Sequence, residues 1–402
     1  MTVVCSFAEM LVKWVRLLLK NGKLLNKQAL YKKIQMIMSD IKNVQKTNLL
    51  LYGANGYTGQ LIAGYAALYG LSPILAARRK EAVAHLAEML GLEFKVFDLN
   101  NEAALVNALK DVVLVIHAAG PYDYTAKQMV EACLKTGTHY IDLNGDAAVF
   151  EMLLEYDEAA KAAGIMVLPG AGFDVVPTDC LSMHLRNRLP DATHLQIAFA
   201  TPGGAISHGT AITTVAKLGE PGAVRINGKL VPKPIGHKGM WVNFFAGKGK
   251  ADQKLFTMTI PWGDIFTAYI STGIPNIETY TALPRAAFAL VKMQGLFNWL
   301  LRKEWVRNFL RKKIKNKPPG LNDEQRNAAT TMVWGKVSNS TGKSVSARLC
   351  GPDAYTLTAY SCLIIAQKII KQQNFKTGYH TPATAYGEGL ILEIPGVEME
   401  IR

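Results

Sequence analysis

Seven consecutive residues, Gly53-Ala54-Asn55-Gly56-Tyr57-Thr58-Gly59, carry the most specific chemistry in the sequence. They follow a short apolar run, 48–52, and precede an amphipathic one, 60–69. Glycine at the first position permits a tight turn. At the second it lets backbone approach an anion, and at the third it lets a helix lie close to a strand. A helix that begins there offers free N–H groups and the positive end of its dipole, so the ligand that fits is a pyrophosphate. The G-x-x-G-x-x-G spacing is a variant of the dinucleotide fingerprint, and its weight comes from lying between a strand and a helix.

The second strand ends Ala76-Ala77-Arg78-Arg79-Lys80, without the Asp or Glu that would hold a ribose 2′-hydroxyl. Guanidinium groups pair instead with a 2′-phosphate, so Arg78 and Arg79 point to NADP(H). Asp98, closing the third strand, is placed to accept from an adenine amino group. Ala119-Gly120-Pro121, after the central strand, would form a turn beside the nicotinamide half, with Tyr122 next to it.

These residues need a scaffold, and the hydrophobic pattern supplies one. Strands are expected at 48–52, 73–77, 93–97, 112–117, 139–143 and 165–168, with helices at 60–69, 81–90, 102–109, 125–136 and 147–163 between them. Such alternation predicts an α/β fold, a Rossmann-type doubly wound parallel sheet. Beyond Pro177 the period changes. A helix at 179–189, a strand at 194–200, a helix at 210–218, strand-like text at 223–280 and two strands within 331–350 predict a second, mixed α/β domain. Helices are expected at 353–372 and 381–390, the latter with Thr381 as N-cap and Pro382 at the first helical position. The expected divisions are 1–46, a basic extension; 47–180, the dinucleotide domain; 181–350, the substrate domain; and 351–402, the C-terminal helices.

The formal charge of +14 is concentrated in two stretches. Residues 1–46 hold nine Lys or Arg against Glu9 and Asp40, and residues 292–317 hold nine against Glu304. No base-stacking module accompanies them, which argues against nucleic acid. Both stretches also carry apolar residues at helical spacing. That fits a helix on a lipid surface, and equally a solvated helix whose apolar underside packs on the protein. No run reaches the roughly 18 apolar residues that span a bilayer. The N-terminus lacks the apolar centre and cleavage site of a secretory signal, and Met36 and Met38 offer alternative starts before the first strand. Five scattered cysteines point to a reducing cytosol. The expected location is therefore cytoplasmic, with peripheral membrane contact through 285–317 as an option.

The phosphate loop resembles that of the saccharopine dehydrogenase-like oxidoreductases, and so do Leu75-Ala76-Ala77-Arg78-Arg79, Gly120-Pro121-Tyr122, Gly137-Thr138-His139-Tyr140-Ile141-Asp142-Leu143 and Gly172-Phe173-Asp174-Val175-Val176-Pro177-Thr178-Asp179. Gly351-Pro352-Asp353-Ala354-Tyr355 and Thr381-Pro382-Ala383-Thr384 are similar to the tail of the trans-acting enoyl reductase branch. The resemblance implies a Rossmann domain interrupted by an inserted mixed α/β domain, with the C-terminal helices of 351–402 returning to pack on the first. For that branch it implies NADPH-dependent reduction of a carbon–carbon double bond in a lipid or polyketide chain. Activity on amino-acid or imine substrates, and a non-catalytic protein at a membrane surface, are the alternatives.

Such a reduction needs a hydride, a donor to the oxygen that gathers charge, and a proton for the second carbon. Tyr122 and Asp174 are the catalytic candidates, with Tyr124, Thr178 and His208 nearby in the pattern. Tyr122 fits either an acid or a wall of the pocket. Asp174 fits either a general acid or the cap of the helix that starts near Pro177. The substrate domain offers Trp241, Phe244, Phe245, Phe256, Trp262 and Phe266, which fit a hydrophobic small-molecule substrate or an ordinary core. No Tyr-x-x-x-Lys pair, Ser/His/Asp signature or metal-ligand spacing appears. A homodimer is a further expectation.

Overall fold

The structure is a computed structural model that describes residues 48–204, 207–315, 318 and 320–401. The N-terminal extension and Lys317 of the second basic stretch lie outside the described residues. Residues 47–402 form one compact unit built on two sheets.

The first sheet holds β1 (Asn48–Tyr52), β2 (Ile74–Ala77), β3 (Phe94–Val96), β4 (Val112–His117), β5 (His139–Asp142) and β6 (Met166–Leu168). Its spatial order is β3-β2-β1-β4-β5-β6, every pair parallel. The apolar runs that make these strands are buried on both faces: Leu50, Leu51, Leu114, Val115 and Ile116 have no exposed surface. Sequential strands run outward from β1 in both directions, so the crevice between the ends of β1 and β4 is the switch point where such sheets take ligands.

The second sheet collects β7 (His194–Ala200), β8 (Gly222–Ile226), β9 (Lys229–Lys233), β10 (Gly239–Phe244), β11 (Gln253–Thr259), β12 (Asn276–Ala282), β13 (Thr331–Ser338) and β14 (Ser344–Gly351). Only β12 and β7 pair in parallel; the other contacts are antiparallel. The C-terminal segment serves both sheets. The helix Ala354–Ile370 packs on the first crossover helix, Tyr57–Tyr65, and β15 (Gly378–Tyr379) extends the first sheet beside β6. The final strand β16 (Glu398–Ile401) joins β14 of the second sheet instead, where Glu400 pairs with buried Arg348.

Three elements depart from the sequence pattern. The helix expected at 147–163 is two, Ala147–Leu154 and Asp157–Ala163, because the Asp157 carboxylate accepts the Tyr379 N–H and ties the second piece to β15. The strand-like text at 223–280 hides a helix, Asp264–Thr272, which packs against the helix Val176–Arg188 with Ile265, Thr267 and Thr272 buried. The basic stretch forms three short helices, Arg285–Lys292, Asn298–Leu301 and Glu304–Lys315, rather than one. No described helix is long and apolar enough to cross a membrane.

The helix Val176–Arg188 connects the layers. Val176, Cys180, Leu181 and Leu185 belong to one continuous core that also takes in Leu49 and Leu51 from the first sheet and Ile197, Val333 and Leu349 from the second. The two sheets are thus joined by shared apolar burial.

Candidate functional site

Gly53 has φ +87°, and a Cβ there would sit 2.7 Å from the Ala118 carbonyl, so only glycine lets β1 turn against the end of β4. A Cβ on Gly59 would lie 2.3 Å from the Gly53 carbonyl oxygen. These two glycines seat the helix Tyr57–Tyr65 on the turn. Asn55 is exposed and Gly56 partly so, which leaves the head of the helix open to solvent. Ala54 is buried behind it, and Thr58 is partly exposed in the first turn, where helical amides have no preceding turn to bond. Tyr57 turns its ring away from this edge. Its hydroxyl donates to the Leu321 carbonyl (2.7 Å), and the ring packs edge-on against Tyr355 at 4.9 Å.

Arg78 and Arg79 directly follow β2 and are exposed, without a carboxylate partner among the described residues. They remain free to meet an anion. Asp98 follows β3, exposed, with one oxygen accepting the Asn100 N–H at 2.9 Å. On the other side of the switch point the Gly120–Pro121 peptide is cis, and the Ala119 carbonyl accepts from Thr125 Oγ1 at 2.8 Å. The cradle residues therefore fit a dinucleotide: glycines where a side chain would intrude, helix amides beneath, and arginines one strand away.

Tyr122 opens the helix Tyr122–Thr136 and donates its hydroxyl to the His117 carbonyl at 3.2 Å. Burial and the nearby carboxylates of Asp142 and Asp174 push its phenol well above the usual range, which suits a wall and hydrogen-bonding role better than that of an acid. Tyr124 is 74% exposed. Thr178 spends its hydroxyl on the Val175 carbonyl. His208 starts the helix His208–Ala216.

Asp174 is not a helix cap. The helix starts at Val176 with Val175 in the cap position, and no side chain caps it. The carboxyl lies instead against Gly145, where a Cβ would approach it to 2.6 Å, while the Asp174 carbonyl accepts from Trp262 Nε1 at 2.9 Å. Burial alone pushes its pKa up to about 7. Among the second-sheet aromatics, Trp262 is the one hydrogen-bonded to the Asp174 segment. Phe244, Phe245 and Phe266 are core, and Phe256 meets the exposed Trp241 edge-on and packs against Phe288.

Sequence reasoning missed the acids around Asp174. Asp142, at the end of β5, is fully buried and accepts from Tyr140 Oη (2.6 Å), Asn144 N (2.9 Å) and Gly170 N (2.8 Å); burial raises it to about 6 against those bonds. His117 closes β4, its Nδ1 3.3 Å from the Tyr140 hydroxyl, and burial lowers it to about 3, so it is neutral. Asp179 accepts from Ser271 Oγ at 2.5 Å and Ala383 N at 2.9 Å, and burial takes it to about 6. Asp264, at the head of its helix, is fully buried, and burial raises it well above the carboxylate range. The only early signal was position: Asp142 ends a strand at the ligand-binding edge. The buried arginines of the second sheet are engaged elsewhere. Arg225 bonds the carbonyls of Ile265 and Gly228, and Arg348 pairs with Asp252 and Glu400.

Residues 49–168 match the family described as "Saccharopine dehydrogenase NADP binding domain". The chain is 24% identical over 216 residues to a saccharopine dehydrogenase-like oxidoreductase of Bos taurus, covering 47% of this chain and 50% of that protein. It is 27% identical over 194 residues to a lipid droplet localized protein of Caenorhabditis elegans, covering 44% of this chain and 46% of the relative. It is 29% identical over 150 residues to a trans-acting enoyl reductase of Mycobacterium leprae, covering 35% and 36%. The matched region thus spans about half the length of these relatives or less. Among solved structures, apo saccharopine dehydrogenase (L-Glu forming) from Saccharomyces cerevisiae shares the fold, with a TM-score of 0.60 at 14% identity over 89% of this chain and 100% of that one.

Proposed function

Residues 49–168 being a saccharopine dehydrogenase-type NADP-binding domain, we propose that the whole chain is an NADPH-dependent oxidoreductase that reduces an enoyl C=C, or a carbonyl, of a hydrophobic lipid- or polyketide-like substrate. The observation that carries this reading is the pairing of the open phosphate cradle and Arg78–Arg79 with a carboxyl, Asp174, that burial holds near neutrality on the same sheet edge. The coenzyme supplies the hydride when bound. Gly53, Gly56 and Gly59 leave its pyrophosphate room, Ala54, Asn55, Tyr57 and Thr58 offer backbone around it, and Arg78 and Arg79 hold the 2′-phosphate. Asp98 accepts from the adenine, and Ala119-Gly120-Pro121 line the nicotinamide side. Asp174 delivers the proton, because a group with pKa near 7 is still half protonated at neutral pH. Tyr122, its hydroxyl hydrogen held by the His117 carbonyl, shapes the wall of the pocket.

The relative named as an enoyl reductase supports the reaction type, and the relative named for lipid droplets supports a location at a lipid surface. The same reading gives 285–317 a peripheral membrane contact. An amino-acid substrate would call for convergent arginines at the seam between the sheets, and Arg225 and Arg348 are both committed to other partners. The test is to follow NADPH absorbance with purified protein and a set of 2-enoyl lipids beside saccharopine-like imines. Oxidation with the enoyl set alone supports the proposal; turnover of imines alone contradicts it.

A further inference from the structure

Position 57 falls between the second and third glycines of the phosphate loop, where the backbone faces the anion and the side chain is free for another task. Here the side chain crosses to a distant segment. Gly320 lies against the ring, since a Cβ there would sit 2.6 Å from it. The Tyr57 hydroxyl donates to the Leu321 carbonyl at 2.7 Å and accepts from Arg326 Nη1 at 3.4 Å. Arg326 Nη1 also donates to the Leu321 carbonyl, at 3.2 Å, so hydroxyl, carbonyl and guanidinium close on one another. The partner segment is itself fixed. Asn322 and Gln325 cap each other at the head of the helix Asp323–Ala328, and Arg326 Nη2 donates to Asp323 Oδ1 at 2.6 Å. The Thr330 N–H donates to the Pro202 carbonyl at 3.1 Å, beside the end of β7. On the other side of the ring stands Tyr355, whose hydroxyl accepts the Ser207 N–H at 2.6 Å.

A glycine-rich loop needs such a hold. Three of the seven residues 53–59 are glycine, so the loop loses much conformational freedom on being ordered. Asn55 is exposed, and Tyr57 is the largest side chain the loop has to anchor it. A ligand that must order its own site binds more weakly, in proportion to the fraction of time the site is formed without it. An anchor at Tyr57 therefore raises affinity for any dinucleotide, whatever its ribose carries. The hydroxyl is the specific part of that anchor. A phenylalanine would fill the same space against Gly320 and Tyr355, and Arg326 would still serve the Leu321 carbonyl, so removing the hydroxyl strands no acceptor. What is lost is the tie between the loop and the helix Asp323–Ala328.

We propose that Tyr57 and Arg326 are positioning residues for coenzyme binding: their hydrogen bond, closed through the Leu321 carbonyl, holds the phosphate loop in the conformation that receives a pyrophosphate. This rests on the reading of Gly53–Gly59 as the pyrophosphate cradle. It adds a second kind of coenzyme residue beside Arg78 and Arg79, one that sets affinity without choosing between the two coenzymes.

The test is fluorescence titration of the full chain with NADPH and NADH, for the wild type, Tyr57→Phe, Arg326→Ala and the double variant, with a thermal melt of each coenzyme-free protein. Each single variant should weaken NADPH and NADH by the same factor, about three- to tenfold. The double variant should lose no more than the weaker-binding single one, since both break one tie. The melt of Tyr57→Phe should match the wild type, which separates loss of the tie from loss of the fold. Should Arg326→Ala fail to fold, Tyr57→Phe decides alone. Unchanged affinity in Tyr57→Phe, an affinity loss there that comes with a lowered melt, losses that multiply in the double variant, or a loss confined to NADPH overturns the proposal. All of these leave wild-type binding intact, whereas a wild type that binds neither coenzyme overturns the cradle reading and this proposal with it.

Discussion

At the residue scale the decisive group is Asp174. Its sequence context allowed a cap or an acid, and the position of Val175 as cap removes the first role. What remains is a carboxyl lodged against Gly145 and raised to about 7 by burial. A proton donor of that pKa loses its proton as pH rises, so turnover should be full below about pH 6 and fall through about 7. Asp174→Asn should lower kcat by about 10²- to 10⁴-fold at pH 6, with NADPH affinity unchanged. The measurement is kcat against pH for both proteins. A wild-type profile flat from pH 5.5 to about 8.5, or an undiminished Asp174→Asn, would remove Asp174 from the chemistry.

At the element scale, the strand–turn–helix unit 48–65 explains why the glycines are not interchangeable. An added methyl at Gly59 meets backbone, the Gly53 carbonyl, and cannot be relieved by a rotamer. Gly64, on the same helix, would meet nothing within 4 Å. Gly59→Ala should destabilise the protein by about 1–3 kcal/mol and weaken NADPH binding. Gly64→Ala should stabilise it by about 0.5–1 kcal/mol and leave binding alone. Denaturant melts of both variants check this, and equal effects would mean that the turn is not the tight contact described.

This unit was also the part most legible beforehand. Central strands such as Val112–His117 are written as continuous apolar runs, and the phosphate loop needs only local spacing, so both can be read along the chain. The helix Asp264–Thr272 could not. Ile265, Thr267, Ile270 and Thr272 favour a strand locally, and burial against the helix Val176–Arg188 decides otherwise. The strands β15 and β16 are too short to carry a period. The acid cluster of Asp142, Asp179 and Asp264 joins distant segments whose meeting depends on the full fold. The aromatics of the second sheet allowed either a substrate surface or an ordinary core, and Phe244, Phe245 and Phe266 are core.

At the scale of the whole molecule, two sheets share one core, and it holds two fully buried acids, Asp142 and Asp179, with the partly buried Asp174 beside them. Asp142 and Asp179 are raised to about 6 and Asp174 to about 7. Each binds a proton more tightly folded than unfolded, where an Asp titrates near 3.9. Their contribution is therefore complete below about pH 4 and is lost as pH climbs through 6 to 7. Stability carried by these groups should fall across that window, and Asp174→Asn should flatten the upper part of the fall. Thermal melts between pH 5 and 8 would show it; an unchanged slope in the variant would mean that Asp174 is more solvated than its position implies.

The account as a whole stands on the coenzyme. Calorimetric titration of the full chain with NADPH and NADH, repeated on Arg78→Ala/Arg79→Ala, tests it most directly. NADPH should bind at least about tenfold more tightly than NADH, and the double variant should lose that preference while retaining NADH binding. Absence of heat with either coenzyme, or a preference that survives loss of both arginines, would contradict the assignment of the cradle and of the residues that select the phosphate.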